Sequence, residues 1–237
     1  MTKKYLLNTL KKLIIFLNNK LRIKSQPLSP ADLYYEDVAK NSYESFKTFF
    51  KDAYIFSNDD SIRSFAINEA SKKFNKDNLF LEFGVFKGDS INLFAKRLSK
   101  INAEIIGFDS FKGLKDDWIT EEFNPEGTFD LKGKKPRVES NVKLIDGWIE
   151  DTLNQFLSNN TQKIAFVHFD LDTYESTSFV LKKIKDRLEP GTIILFDEFY
   201  GFPNWEKYEY KAFKEELKEN KFKYIAFGSR QACIKVI

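Results

Sequence analysis

Short apolar runs in this 237-residue chain repeatedly end in acids. The run Leu79–Phe83 contains Glu82 and meets Gly84. The run from Ile105 meets Asp109, and that from Val142 meets Asp146. The run from Ile164 meets Asp170 and Asp172, and that from Thr192 meets Asp197 and Glu198. Open parallel sheets bind ligands outside the carboxyl ends of their strands, so if these runs are strands their acids converge on one cleft. Converging carboxylates repel each other and lose hydration, which raises their pKa values until something positive or hydrogen-bonding offsets the cost. A sulfonium cofactor, ribose hydroxyls or a divalent cation would each do so.

The loop after the first run reads Glu82-Phe83-Gly84-Val-Phe-Lys-Gly88-Asp-Ser90. Its two glycines allow a tight turn and close approach of the backbone to a ligand. The helix expected from Ser90 offers free N–H groups to an anion such as a carboxylate. The spacing G-x-x-x-G is neither the dinucleotide G-x-G-x-x-G nor a P-loop. Asp109, 21 positions after Gly88, is placed to accept hydrogen bonds from ribose hydroxyls. Asp170-Leu171-Asp172 also fits the short D-x-D metal pattern of nucleotide-sugar glycosyltransferases, and the same two acids could simply cap the following helix.

These residues need a scaffold that lines them up. Strands are expected at 79–83, 105–108, 142–145, 164–169, 192–196, 223–227 and 231–236, with helices at 90–98, after the third strand through 157, at about 176–188 and at 209–219. That alternation predicts an α/β fold, a mainly parallel sheet covered by helices. Gly228-Ser229 reads as the turn of a C-terminal antiparallel hairpin. Residues 31–75 read as two or three helices. Residues 3–24 read as a basic amphipathic helix, carrying +7 against a whole-chain charge of +3, suited to an anionic membrane surface, another subunit or its own domain. The expected division is an N-terminal helical extension, 1–77, and a binding domain, 78–237.

Composition narrows the chemistry. One cysteine, Cys233, excludes an internal disulfide framework and a cysteine-based zinc site, and one histidine, His168, excludes a His-rich metal centre. His168 falls inside a strand and reads as a core histidine rather than a base. Any metal would be oxygen-ligated, favouring Mg²⁺. No apolar stretch reaches the ~20 residues of a membrane span, and Lys11 and Lys12 interrupt any signal-peptide core. A cytoplasmic protein, peripheral to a membrane if residues 1–24 bind one, is expected. Beyond residue 24 the chain is net negative, which argues against nucleic-acid binding. Trp118, Phe123 and Phe129 lie in a long irregular segment that would form a lid or pack down. Lys132, Lys134, Lys135 and Arg137 there would meet a phosphate or solvent, and Phe202 and Trp205 are expected to wall an acceptor pocket.

Five stretches in order carry a family resemblance: 80–88, 107–113, 147–153, 168–177 and 196–198. The chain resembles class I S-adenosylmethionine-dependent methyltransferases, most of all the macrocin O-methyltransferase family, which methylates sugar hydroxyls on natural products. The resemblance implies a Rossmann-like, doubly wound, seven-stranded sheet. It puts Glu82, Gly84, Gly88 and Ser90 around the cofactor's methionine part, with Phe83 in the same run. Asp109 would hold the ribose, with Ser110 and Phe111 beside it, and Asp146, Gly147 and Trp148 would lie near the adenine. Asp170, Asp197 and Glu198 would bind Mg²⁺, and Asp172 would be the general base. The family's usual Asp-Asp pair is Asp197-Glu198 here. The implied activity is S-adenosylmethionine- and Mg²⁺-dependent O-methylation of a sugar or glycosylated metabolite; whether the chain forms a homo-oligomer is left open by the sequence. The alternatives are a nucleotide-sugar glycosyltransferase and a membrane-surface protein held by its N-terminal helix.

Overall fold

A computed structural model describes Leu10, Lys12 and residues 28–218 and 221–237. The expected basic helix at 3–24 lies outside the described residues, Leu10 and Lys12 aside. The chain divides into two compact units, 1–37 and 38–237, and the sheet and every residue discussed below belong to the second. The helices are α1 (Pro30–Phe50), α2 (Asp59–Lys73), α3 (Asp89–Leu98), α4 (Ile149–Asn159), α5 (Tyr174–Ile184) and α6 (Glu209–Glu216). The strands are β1 (Tyr54–Ile55), β2 (Leu79–Phe83), β3 (Ile105–Asp109), β4 (Trp118–Ile119), β5 (Phe123–Asn124), β6 (Val142–Asp146), β7 (Ile164–Phe169), β8 (Leu188–Phe196), β9 (Phe222–Phe227) and β10 (Ala232–Val236).

The main sheet has eight strands in the order β1-β9-β10-β8-β7-β2-β3-β6. The expected count of seven omitted β1, a two-residue exposed strand that pairs parallel with β9. Every other neighbouring pair is parallel except β10, which runs antiparallel to both β8 and β9. The hairpin turn is closed by Gly228 N–H donating to Gln231 O at 2.9 Å. β8 starts at Leu188, earlier than expected, and runs through Pro190 and Gly191.

β2 and β7 are buried at every position, as befits parallel strands covered on both faces. One face packs Leu81, Phe83, Val167, Phe169, Ile194 and Phe196 against α4, α5 and α6. The other packs Phe80, Phe166, Ile193 and Leu195 against α2 and α3. Across β3, β2, β7 and β8, Phe108, Phe83, Phe169 and Phe196 stand in register as a row of stacked rings, with centroids 4.9, 5.8 and 4.9 Å apart. That row fixes the level at which the four strands end. Phe46 of α1 sits among Phe199, Tyr200, Trp205, Tyr210, Tyr224 and Phe227, with ring centroids 5.3–5.8 Å away. This aromatic cluster anchors the segment after β8. Trp205 is buried there and Phe202 is buried against Trp118 and Tyr208; neither lines the cavity described below, which corrects their expected role, since an apolar aromatic run after a strand is drawn first to the core. Among the described residues no helix is long and apolar enough to cross a membrane.

Candidate active site

The four central strands continue their ladder one residue past their ends. Gly84 N–H donates to Phe108 O, Asp170 N–H to Phe83 O and Asp197 N–H to Phe169 O, at 2.9–3.0 Å. Gly84, Asp109, Asp170 and Asp197 therefore share one rim. Gly84 is required there: with φ +86°, a Cβ on it would lie 1.8 Å from the Asp170 carbonyl oxygen. Gly88, also at φ +86°, is the N-cap of α3. Asp109 shapes the loop above it. Its Oδ2 accepts from Val85 N–H and Phe86 N–H, both at 2.8 Å, and its Oδ1 accepts from Phe111 N–H at 2.7 Å.

Beneath the rim runs a chain of buried charges. Ser90 Oγ donates to Glu82 Oε1 at 2.5 Å. His168 Nδ1 stands 3.6 Å from the same oxygen, and His168 Nε2 stands 3.3 Å from Asp197 Oδ1. Arg63 of α2 donates from Nη2 to Asp197 Oδ1 at 2.8 Å, and Gln231 Nε2 donates to that oxygen too. Asp197 Oδ2 has no donor among the described residues. Burial alone would lower the His168 pKa, but its hydrogen bond to Asp197 and the nearby Glu82 carboxylate outweigh it and raise the imidazole to about 9. His168 is thus a buried cation between two carboxylates. Burial works against ionised Asp197, yet His168 and Arg63 hold it well below the usual carboxylate range.

The remaining acids are poorly compensated. Burial, then repulsion from Asp197, pushes Asp170 well above the carboxylate range, with His168 pulling against it. Burial, then Glu198 and Asp197, does the same to Asp172. Glu198 is raised to about 8, by burial first and by Asp197 and Asp170, against the pull of Arg230. Burial and the charges of Asp172, Asp170 and Asp197 likewise raise Glu209 of α6, which no local pattern had marked. The carboxyls of Asp170 and Asp172 have no hydrogen-bond donor among the described residues. Asp172 has φ +62°, and Thr173 N–H donates to Leu171 O at 2.6 Å, so it is the centre of a positive-φ γ-turn. Such turns are rare and strained.

A cavity of about 300 Å³ opens above the rim, at the small end for ligand sites. Gly84, Asp109, Ser110, Trp148, Asp170, Asp172 and Glu198 line it, joined by Val85, Phe86, Lys115, Trp118, Phe129 and Glu150. The other residues expected at the site do not line it. Glu82, Phe83, Ser90 and Phe111 are buried beneath or beside it. Asp146 is half-exposed and pairs with Lys135 at 3.1 Å. Gly147 donates its N–H to Asp109 O at 3.1 Å, and Gly88 begins α3. Ligand atoms of His168, Asp170 and Asp197 lie within 4.8 Å of one another. Glu198 stands outside that group, with Oε2 3.4 Å from Arg230 Nη1. The expected trio is thus brought together only in part.

The fold agrees with what comparison finds. A family model described as a methyltransferase domain matches residues 81–199, half of the chain. The protein belongs to that family of methyltransferases. A curated relative, 8-demethyl-8-(2,3-dimethoxy-alpha-L-rhamnosyl)-tetracenomycin-C 4'-O-methyltransferase from Streptomyces olivaceus, is 32% identical over 62 residues, 26% of this chain and 23% of its own length. The chain thus matches about a quarter of that relative. The solved structure of CalS11, calicheamicin methyltransferase, superposes with TM-score 0.62 at 21% identity, covering 88% of this chain and 94% of that one. A ligand-free structure of CalS11, there described as TDP-rhamnose 3'-O-methyltransferase, gives TM-score 0.56 at 22% identity, covering 88% and 96%. The family leaves the glycosyltransferase reading of Asp170-Leu171-Asp172 without support.

Proposed function

We propose that the protein transfers a methyl group from S-adenosylmethionine to a hydroxyl of a sugar or glycoside, with Mg²⁺ at the acidic rim. One observation carries this reading: a single cavity joins the Gly84 loop to Asp170, Asp172 and Glu198. The glycine loop, Asp109, Ser110 and Trp148 would hold the cofactor. The rim fits a dication in charge and in donor type. Among the described residues, the cations that pair with the acids Glu82, Asp170, Asp172, Asp197, Glu198 and Glu209 are Arg63, His168 and Arg230. A sulfonium and Mg²⁺ together would balance the acids, and oxygen donors suit Mg²⁺. Asp170 and the free Oδ2 of Asp197 are the ligands best prepared, with Glu198 joining by leaving Arg230.

When bound, the cofactor supplies an electrophilic methyl on sulfur, and Mg²⁺ makes a hydroxyl oxygen more acidic. Asp172 takes the proton of that hydroxyl on its carboxylate; burial, Glu198 and Asp197 raise its pKa above the ordinary value, which makes it a stronger base than a solvated carboxylate. That oxygen would take the methyl of the cofactor bound against the Gly84 loop, leaving the neutral thioether. Trp118, Phe129 and Trp148 exclude water from this transfer. Sugar acceptors are favoured because the names of two relatives specify rhamnose hydroxyls. Calorimetry with S-adenosylhomocysteine, and mass spectrometry of TDP-rhamnose and free rhamnosides incubated with cofactor and Mg²⁺, test the proposal. Binding and a 14-Da gain on a sugar support it. No binding of the cofactor product refutes it.

A further inference from the structure

Glu209 is fully buried at the first turn of α6, against three other carboxyls that repel it. Nothing in packing alone favours an acid there. Its two oxygens, however, reach two different loops. Oε2 accepts from Glu198 N–H at 3.1 Å, and Oε1 accepts, more weakly, from Leu171 N–H at 3.5 Å. Leu171 lies between Asp170 and Asp172, so one side chain ties the acid-bearing loop after β7 to the acid-bearing loop after β8. A carboxylate can do this because each of its oxygens accepts; an amide offers only one acceptor.

We propose that Glu209 is a positioning residue that sets the separation of the Asp170–Asp172 loop from the Asp197–Glu198 loop. This role rests on the function proposed above for those acids. The Glu209 carboxyl itself stays out of the cavity. It acts on the reaction through the backbone of the two loops, and shifts of about 1 Å at reacting groups cost about 100-fold in rate. In the proposed function the cofactor would lie against the Gly84 loop, whereas the hydrogen bonds of Glu209 go to Glu198 and Leu171.

The test uses the full chain and the variants Glu209→Gln and Glu209→Ala. Amide hydrogen exchange followed by NMR reads the ties directly. Exchange at Leu171 and Glu198 should rise at least 10-fold in Glu209→Ala, with Leu81 in β2 unchanged. In Glu209→Gln, which keeps the volume and one acceptor, exchange should rise at one of the two amides. The Gln variant should lose at least 10-fold in kcat, with its KM for S-adenosylmethionine and its Kd for S-adenosylhomocysteine within twofold of the parent. Unchanged exchange at both amides overturns the proposal. Faster exchange with unchanged kcat overturns it equally, leaving Glu209 a structural residue. If the Ala variant does not fold, the Gln variant decides. A parent protein that binds no S-adenosylhomocysteine refutes the proposed function, whereas the exchange data still judge the ties.

Discussion

Replacing Gly84 by alanine is the sharpest perturbation the rim offers. The added Cβ would lie 1.8 Å from the Asp170 carbonyl oxygen and 2.8 Å from its carbonyl carbon, where real contacts stay beyond 3.0 Å. Both neighbours are backbone, so the loops after β2 and β7 must separate by roughly 1 Å or more, because packed interiors have no slack to absorb the overlap. The positive φ adds about 1–2 kcal/mol of strain. Gly127→Ala separates these effects: Gly127 has φ +82° and nothing within 4 Å of its Cβ position, so it carries strain without the clash. We expect Gly127→Ala to lose only a few degrees in Tm with unchanged binding. Gly84→Ala should lose more, raise the Kd for S-adenosylhomocysteine at least 10-fold, and lower kcat/KM about 100-fold, as expected for ~1 Å misplacement. Scanning calorimetry, titration calorimetry and initial rates give these values. A Gly84→Ala protein with parental Kd and kcat/KM would refute the placement of cofactor and acid on one shared rim.

Other outcomes follow from the buried charges. His168 titrates at about 9 when folded against 6.5 ordinarily, so its contribution is complete below pH 6.5 and lost as pH rises through 9, about 3 kcal/mol in all. Glu198, raised to about 8 from 4.5, destabilises in the same direction as it ionises. Tm of the ligand-free protein should therefore fall between pH 6 and 9, and Mg²⁺ with S-adenosylhomocysteine should reduce the fall; a flat or rising profile by scanning fluorimetry contradicts the charge assignment. Arg63→Leu removes the 2.8 Å partner of Asp197 and should cost about 3 kcal/mol in urea unfolding, as breaking a buried pair does. Asp172→Asn should lower kcat by about 10²–10⁴-fold, the usual worth of a positioned base, while the cofactor Kd stays within twofold.

The strands that build the rim were legible because parallel strands covered on both faces are apolar throughout: Leu79–Phe83 and Ile164–Phe169 stand out from any surface segment. β1 was not legible, since Tyr54 and Ile55 are exposed and the strand exists only through its pairing with β9. Gly84, Asp109, Asp170 and Asp172 could be found because each sits next to a recognisable strand end. Arg63, Gln231, Arg230 and Glu209 could not. Arg63 meets Asp197 across 134 positions, and Glu209 meets Leu171 across 38. Such partners are chosen by strand order and helix packing, which leave no local spacing to read. Asp146 was legible in the same way, as Asp-Gly after a strand; its carboxylate pairs with Lys135, a partner that no local spacing announces.

The central claim is that acids from separate strand ends serve one methyl carrier and one dication in the same cavity. A crystal structure with S-adenosylhomocysteine and Mg²⁺ tests it most directly. The account predicts the thioether sulfur above Gly84, the adenine beside Trp148, and the ion on Asp170 and Asp197 Oδ2 with the Asp172 carboxyl facing the vacant acceptor position. The nucleoside bound elsewhere, or an ion that ignores Asp170 and Asp197, would contradict it.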